Sequence, residues 1–214
     1  ASYSYGSADE YLQMAYGPAA TLTSYHAFVE RQITASAYLQ VLVDEKPYTE
    51  DDISKYYDDN ADSYAGNGIE KSDVKMVNVR HILIQPEGKN DDGTYTDEAW
   101  AEAEKKANDL LTEWQNGEHT EDSFAFMAAE NSQDPGSVEN GGLYEDIYPG
   151  KMVDEFDAWC FDPARQPGDT GIVKTSYGHH IMYFSSTGEH AYWYVRAEED
   201  YLNAVSYTHL TLPT

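Results

Sequence analysis

A chain of 214 residues with 39 acidic against 13 basic side chains carries a formal net charge of -26. Such a field repels nucleic-acid phosphates and anionic lipid surfaces, which makes nucleic-acid binding a poor hypothesis. The 41% apolar content supports one large domain or two small ones, and the single cysteine, Cys160, excludes an internal disulfide without deciding the compartment.

No apolar run is long enough to span a bilayer and no secretory leader is visible. The chain opens with Ala-Ser-Tyr-Ser-Tyr and no methionine, so the expectation is a mature or trimmed piece. The 19 tyrosines are a surplus. Each has a ring to bury and a hydroxyl that wants a partner, which leaves ordinary packing and contact with other chains both open.

Residues 8–17 read as a short helix stopped by Gly17-Pro18. Thr23 or Ser24 is expected to cap the next helix, in which Tyr25, Phe28, Val29, Ile33, Ala37, Leu39 and Val43 recur at helical spacing until Pro47. Thr49 followed by Glu50-Asp51-Asp52 starts a third helix that fades near Asn60. Residues 1–70 therefore read as a helical region whose apolar stripes must be buried somewhere. Ala65-Gly66-Asn67-Gly68 punctuates the chain and places a boundary at about 66–75.

Val77 to Ile84 is a β-branched run with His81 in its middle, the mark of a packed strand over about 75–85. A polar loop follows from Pro86 to Gly93. Thr96-Asp97-Glu98 opens a long helix with Ala99, Ala103, Ala107, Leu110, Leu111 and Trp114 on one side, and Gly117 closes it. Thr120 caps a shorter helix, Asn131 to Ser137 is a loop, and Gly141-Gly142 is a turn. Met152 to Phe161 is predicted as another helix. Gly171–Thr175 and His180–Ser185 are predicted as a hairpin around Ser176-Tyr177-Gly178. Residues 187–204 form a C-terminal extension, read as a strand running into a helix that rejoins the N-terminal helices. The last ten residues, 205–214, break the pattern and are expected to be a non-native tail of the kind translated from a sequencing adapter.

Several of these segments occur in a telling order: His81-Ile-Leu-Ile84, Asn131-Ser-Gln-Asp-Pro-Gly-Ser137, Gly141-Gly142, Gly150-Lys-Met-Val-Asp-Glu-Phe156 and Thr175-Ser-Tyr-Gly-His-His-Ile181. Over about residues 75–186 this order resembles the parvulin-type (PpiC, rotamase) peptidyl-prolyl isomerase domain, and most of all the PrsA-like and SurA-like extracytoplasmic foldases. The resemblance implies an α+β fold, a small antiparallel sheet wrapped by helices in the order β-α-α-α-β-β, beside a flanking helical chaperone region. It implies a bacterial isomerase and chaperone, outside the cytoplasm, whose partners are unfolded or newly secreted chains with X–Pro bonds. It further implies a lipid anchor on a segment outside this chain.

By motif match the catalytic positions are His81, His180 and Asp134. The two histidines are expected to form a buried polar pair at the sheet centre, which is also what two satisfied core histidines would do. Asp134 falls beside the substrate carbonyl in the family, where its charge would disfavour the planar amide. Read from the residues, it serves equally as a cap ordering the loop before Pro135. Met152 and Phe156 match the receptacle for the proline ring and are expected on one helical face. Tyr144 matches a pocket leucine, Tyr177 stands over the site, and Thr175 lies near it. Cys160 is not the family's site cysteine and reads as core.

Two departures stand out. Leu143-Tyr144-Glu145-Asp146 replaces the family's Asp-Leu-Gly-Trp-like segment, so the pocket edge is expected to be remodelled. The loop that is basic in phosphate-directed relatives here holds Lys89 against Glu87, Asp91 and Asp92, which argues against phosphoserine-proline specificity. Neither a metal nor another cofactor is expected, since His179 and His180 would face opposite sides of a strand. A catalytically weak domain that only binds peptide is the alternative function.

Overall fold

The structure is a computed structural model that describes residues 7–45 and 48–211. The chain divides into two compact units, one of residues up to Gly68 together with those from Arg196 onward, the other Ile69–Val195.

The first unit is helical. Helix α1 (Ala8–Tyr16) starts where Ser7 Oγ accepts the Glu10 N–H, and ends at Gly17, whose φ of 99° few side chains tolerate. Helix α2 (Leu22–Glu45) is capped by Thr21 rather than by Thr23 or Ser24 alone. Thr21 and Ser24 exchange backbone N–H to side-chain bonds of 2.8 and 3.1 Å. Tyr25, Phe28 and Ile33 of the predicted stripe are exposed, so this part of it is not buried as expected. Pro47 lies outside the described residues, as do the side chains of Leu39 and Val43. Helix α3 (Glu50–Asp59) begins with a full capping box between Thr49 and Asp52. It is followed by α4 (Ala61–Gly66), a turn and a half of helix that the sequence reading ended too early to include.

Helix α8 (Tyr192–Thr211) runs into this unit and brings in Glu198, Asp200 and Tyr201. Tyr48 donates to Glu198 Oε1 at 2.9 Å and Tyr64 to Asp200 Oδ2 at 3.0 Å, while Tyr57 stacks on Tyr64 at 4.7 Å and Ile53 is fully buried. The tyrosines thus pack through their rings and anchor through their hydroxyls. A strand ending at Ala191 passes directly into this helix at Tyr192, the strand-into-helix order read from the sequence, and the helix continues through residues read as a tail.

The second unit is built on a four-stranded antiparallel sheet. Its strands are β1 (Lys75–Ile84), β2 (Leu143–Ile147), β3 (Thr170–Thr175) and β4 (Gly178–Ala191), in the order β2-β1-β4-β3. Helices α5 (Asp97–Asn116), α6 (Glu121–Asn131) and α7 (Asp154–Cys160) complete the unit. The expected hairpin is present, with β4 extending six residues beyond Ser185. The pairing of β1 with β4 sets Leu83 opposite His180 and His81 opposite Met182.

Alternation then sorts the side chains. Ile82, Ile84, Ile181 and Tyr183 pack under Ala103, Ala107, Trp114, Phe124 and Ala128 of α5 and α6. Val77, Val79, Met182 and Phe184 pack with Ile147, Phe156 and Cys160 on the other face. His81 and His180 share that second face, and His179 points to the first, where it meets Trp100 edge-on.

One element was unforeseen and one expectation is corrected. The segment 143–147, given no element in the sequence reading, is a strand; its two acidic residues suit an exposed edge and hid it from a search for apolar alternation. Helix α7 begins at Asp154, so Met152 precedes it and the shared-helical-face argument for Met152 and Phe156 does not hold.

Candidate active site

The sheet's second face carries a chain of buried polar contacts. His81 and His180 are 2% and 5% exposed, with their rings stacked at 5.2 Å and their Nδ1 atoms 3.0 Å apart. His81 Nε2 lies 2.9 Å from Asp134 Oδ2, and His180 Nε2 lies 2.8 Å from Thr175 Oγ1. With both rings neutral, every proton in this chain has a place. Thr175 O–H donates to His180 Nε2, His180 Nδ1–H to His81 Nδ1, and His81 Nε2–H to the Asp134 carboxylate. The Tyr177 N–H in turn donates to Thr175 Oγ1 at 3.1 Å.

Asp134 Oδ2 also accepts from Ser137 Oγ at 2.5 Å and from the Tyr144 hydroxyl at 3.0 Å, while the Gly136 N–H donates to Oδ1. Hydrogen bonds, led by that from His81, hold this carboxyl well below the ordinary carboxylate range against the opposing effect of burial. Burial pushes His180 down to about 4 and the Tyr144 phenol up to about 12. The result is a fixed anion and a neutral histidine at pH 7.

Beside this network lies a cleft of about 330 Å³, lined by Leu83, Met152, Val153, Phe156 and Tyr177 on its apolar sides and by His81, His180, Asp134 and Tyr144 on its polar one. Phe156 meets both histidine rings edge-on at 5.4 and 5.5 Å. The wall depends on glycine at one place. Gly142, at φ 76°, carries the carbonyl that accepts the His81 N–H at 2.8 Å, and a Cβ there would stand 2.3 Å from the His81 carbonyl oxygen. Arg80, paired with Glu121, donates to the carbonyls of Asn140 and Gly141 and fixes this turn.

The eight positions singled out in the sequence fall as follows. His81, Asp134, His180, Tyr144, Met152, Phe156 and Tyr177 all line the cleft; Thr175 stands behind His180 and does not. Tyr144 is a polar member of the Asp134 cluster, where an apolar pocket residue was expected. The altered segment 143–146 pairs with β1, with Asp146 at φ 53° donating its N–H to Asn78 Oδ1.

Ser137, 1% exposed, was missed as a member of the network, although its spacing three residues after Asp134 in a turn is the signal for such a bond. Leu83, Gln85, Pro135 and Val153 were missed as lining. Cys160 is 2% exposed core with its thiol pushed up to about 12 by burial. Among the described residues, no group of three or more His, Cys, Asp or Glu side chains is arranged to hold a metal.

Residues 67–186 match the family described as the PPIC-type PPIase domain. The chain belongs to that family. Its relatives include a foldase protein PrsA 1 of Listeria innocua, 30% identical over 106 residues that make up 50% of this chain and 29% of that protein. A foldase protein PrsA of a Geobacillus species is 42% identical over 80 residues, 37% of this chain and 27% of the relative. A chaperone SurA of Pseudomonas savastanoi is 35% identical over 107 residues, 50% and 22% of the two chains. The chain thus spans less than a third of the length of these relatives. Among solved structures, the peptidylprolyl isomerase PrsA of Bacillus anthracis is 16% identical, with a TM-score of 0.43 over 85% of this chain and 90% of that one. Through its family match and these sequence relatives the PPIC-type domain is related to the bacterial PrsA- and SurA-like foldases; its own elements form an α+β fold with a small antiparallel sheet wrapped by helices.

Proposed function

We propose that this protein is a peptidyl-prolyl cis-trans isomerase that assists the folding of secreted or cell-envelope polypeptides outside the cytoplasm. The observation that carries the reading is the apolar cleft of about 330 Å³ set against the His81–His180–Asp134 network. The barrier to be lowered is rotation about the X–Pro amide, about 20 kcal/mol. A catalyst lowers it by binding the twisted amide better than the planar one.

In this reading Met152, Phe156 and Leu83 take the proline ring and displace water. Loss of water disfavours the charge-separated planar amide more than the twisted one. The Asp134 anion along the polar wall acts in the same direction. No proton needs to move, which agrees with a network whose donors and acceptors are already paired. Tyr177, 57% exposed at the cleft mouth, covers the bound segment, and Thr175 acts through His180 as a positioning residue. Clients would be unfolded chains with X–Pro bonds, and any membrane attachment would come through a lipid anchor on a segment outside this chain.

A test is the refolding of a protein limited by a cis-proline step. The full chain should accelerate its slow phase catalytically, at well under one equivalent. No acceleration, or acceleration only at stoichiometric amounts, would favour a second reading, peptide binding without turnover. That reading draws on one observation: the Tyr144 hydroxyl occupies Asp134 Oδ2 on the polar wall.

A further inference from the structure

A second groove, of about 180 Å³, shares Gln85 with the cleft. Its floor is apolar and buried: Ile84, Ala99 and Ala103 are 1%, 3% and 4% exposed. Its rim is charged, with Glu87 on the loop after β1, and Glu102 and Lys106 on α5. The two α5 residues are four apart, but no ion pair within 4.0 Å joins them among the described residues. Glu87 faces them from a different element and has no cation of its own within 4.0 Å among the described residues. It is tethered instead, because Gln133 offers its Nε2 to Glu87 Oε1 at 3.4 Å while Gln133 Oε1 accepts the Gln85 N–H at 2.7 Å. Gln133 is itself fixed by its N–H to the Leu83 carbonyl at 2.9 Å, one residue before Asp134.

An apolar floor ending at an unpaired carboxylate suits a side chain with a long alkyl stem and a cationic head. We propose that this groove is a specificity subsite for a lysine or arginine of the client, near the proline held in the cleft, with Glu87 receiving the charge. The proposal rests on the isomerase reading for its client, and it makes the acidic loop that repels phosphate a recognition element for the opposite charge.

The test uses peptides with one proline and a lysine, glutamate or norleucine placed in turn at each position from three before the proline to two after it. Turnover and affinity are read in the same NMR samples of the full chain, from exchange of the proline isomers and from amide shifts. At one position lysine should exceed glutamate and norleucine by about threefold to fivefold in affinity, as expected for one partly exposed ion pair. That preference should disappear in Glu87→Gln while the parent alanine peptide is bound and turned over as before. Equal affinities at every position would overturn the subsite. So would a lysine preference that is uniform over all positions, the signature of the net charge alone, or one that survives in Glu87→Gln. Absence of turnover with every peptide would sink the isomerase reading, and the lysine-to-glutamate affinity ratio would still decide the subsite.

Discussion

Acidification should destabilise the sheet-containing unit through His180. The imidazole is 5% exposed, and burial pushes its proton affinity down from 6.5 to about 4. A histidine lowered in the folded state takes up its proton more readily when unfolded. Its neutral burial therefore costs nothing above pH 6.5, and stability is lost as pH falls from 6.5 toward 4. The gap between those values, at 1.36 kcal/mol per pH unit, amounts to about 3 kcal/mol. His179, lowered by burial too, adds to the slope in the same direction. Asp134 acts in a lower window, because a depressed carboxyl contributes stability that is lost only as pH falls below its ordinary value of 3.8. The assay is urea denaturation followed by tryptophan fluorescence at pH 7.5, 6, 5 and 4.5, on the intact chain and on His180→Gln. The intact chain should lose stability across this range, and the substituted chain, less stable at pH 7.5, should lose less. Equal slopes in the two proteins would refute the reasoning.

Phe156→Ala removes a 3% exposed ring from between Cys160, Val173 and the two histidines, and should cost about 3–5 kcal/mol by denaturation. Gly142→Ala forces a side chain at φ 76° against the His81 carbonyl oxygen and should cost at least about 2 kcal/mol, read as a lowered Tm. Tyr144→Phe keeps the ring but removes one donor that draws on the Asp134 charge; kcat should rise by about twofold to fivefold while peptide affinity stays within about twofold, and a fall in kcat would contradict the role given to that charge. Thr49→Ala breaks the α3 capping box and should cost the helical unit about 1 kcal/mol without touching isomerase activity.

Strands β1 and β4 were legible because both are β-branched or aromatic runs, but it was the family motif that placed His81 beside His180. Alternation along the strand set only His179 apart from His180. Strand β2 was not legible, since its Glu145 and Asp146 face solvent at a sheet edge and erase the apolar alternation. Tyr144 illustrates a second limit. Motif position assigned it to the pocket, but a hydroxyl 3.0 Å from Asp134 depends on the close approach of the Asp134 loop to strand β2, which spacing does not encode. The same close approach explains Gly136, where a Cβ would stand 2.7 Å from the Tyr144 hydroxyl. The caps at Ser7 and Thr49 in the helical unit and at Thr96 and Thr120 in the sheet-containing unit follow from local chemistry, whereas the open stripe of α2 shows that periodicity alone does not say what covers a helix.

The central claim is that Met152 and Phe156 hold a proline ring whose amide is twisted beside His81 and Asp134. Exchange NMR on short X–Pro peptides tests it most directly, with the intact chain compared with folded Met152→Ala and His81→Ala proteins. The account predicts cis-to-trans exchange well above the uncatalysed rate for the intact chain, and its loss or a marked rise in KM for Met152→Ala. An intact, folded chain that accelerates no peptide over a range of residues before proline would contradict it.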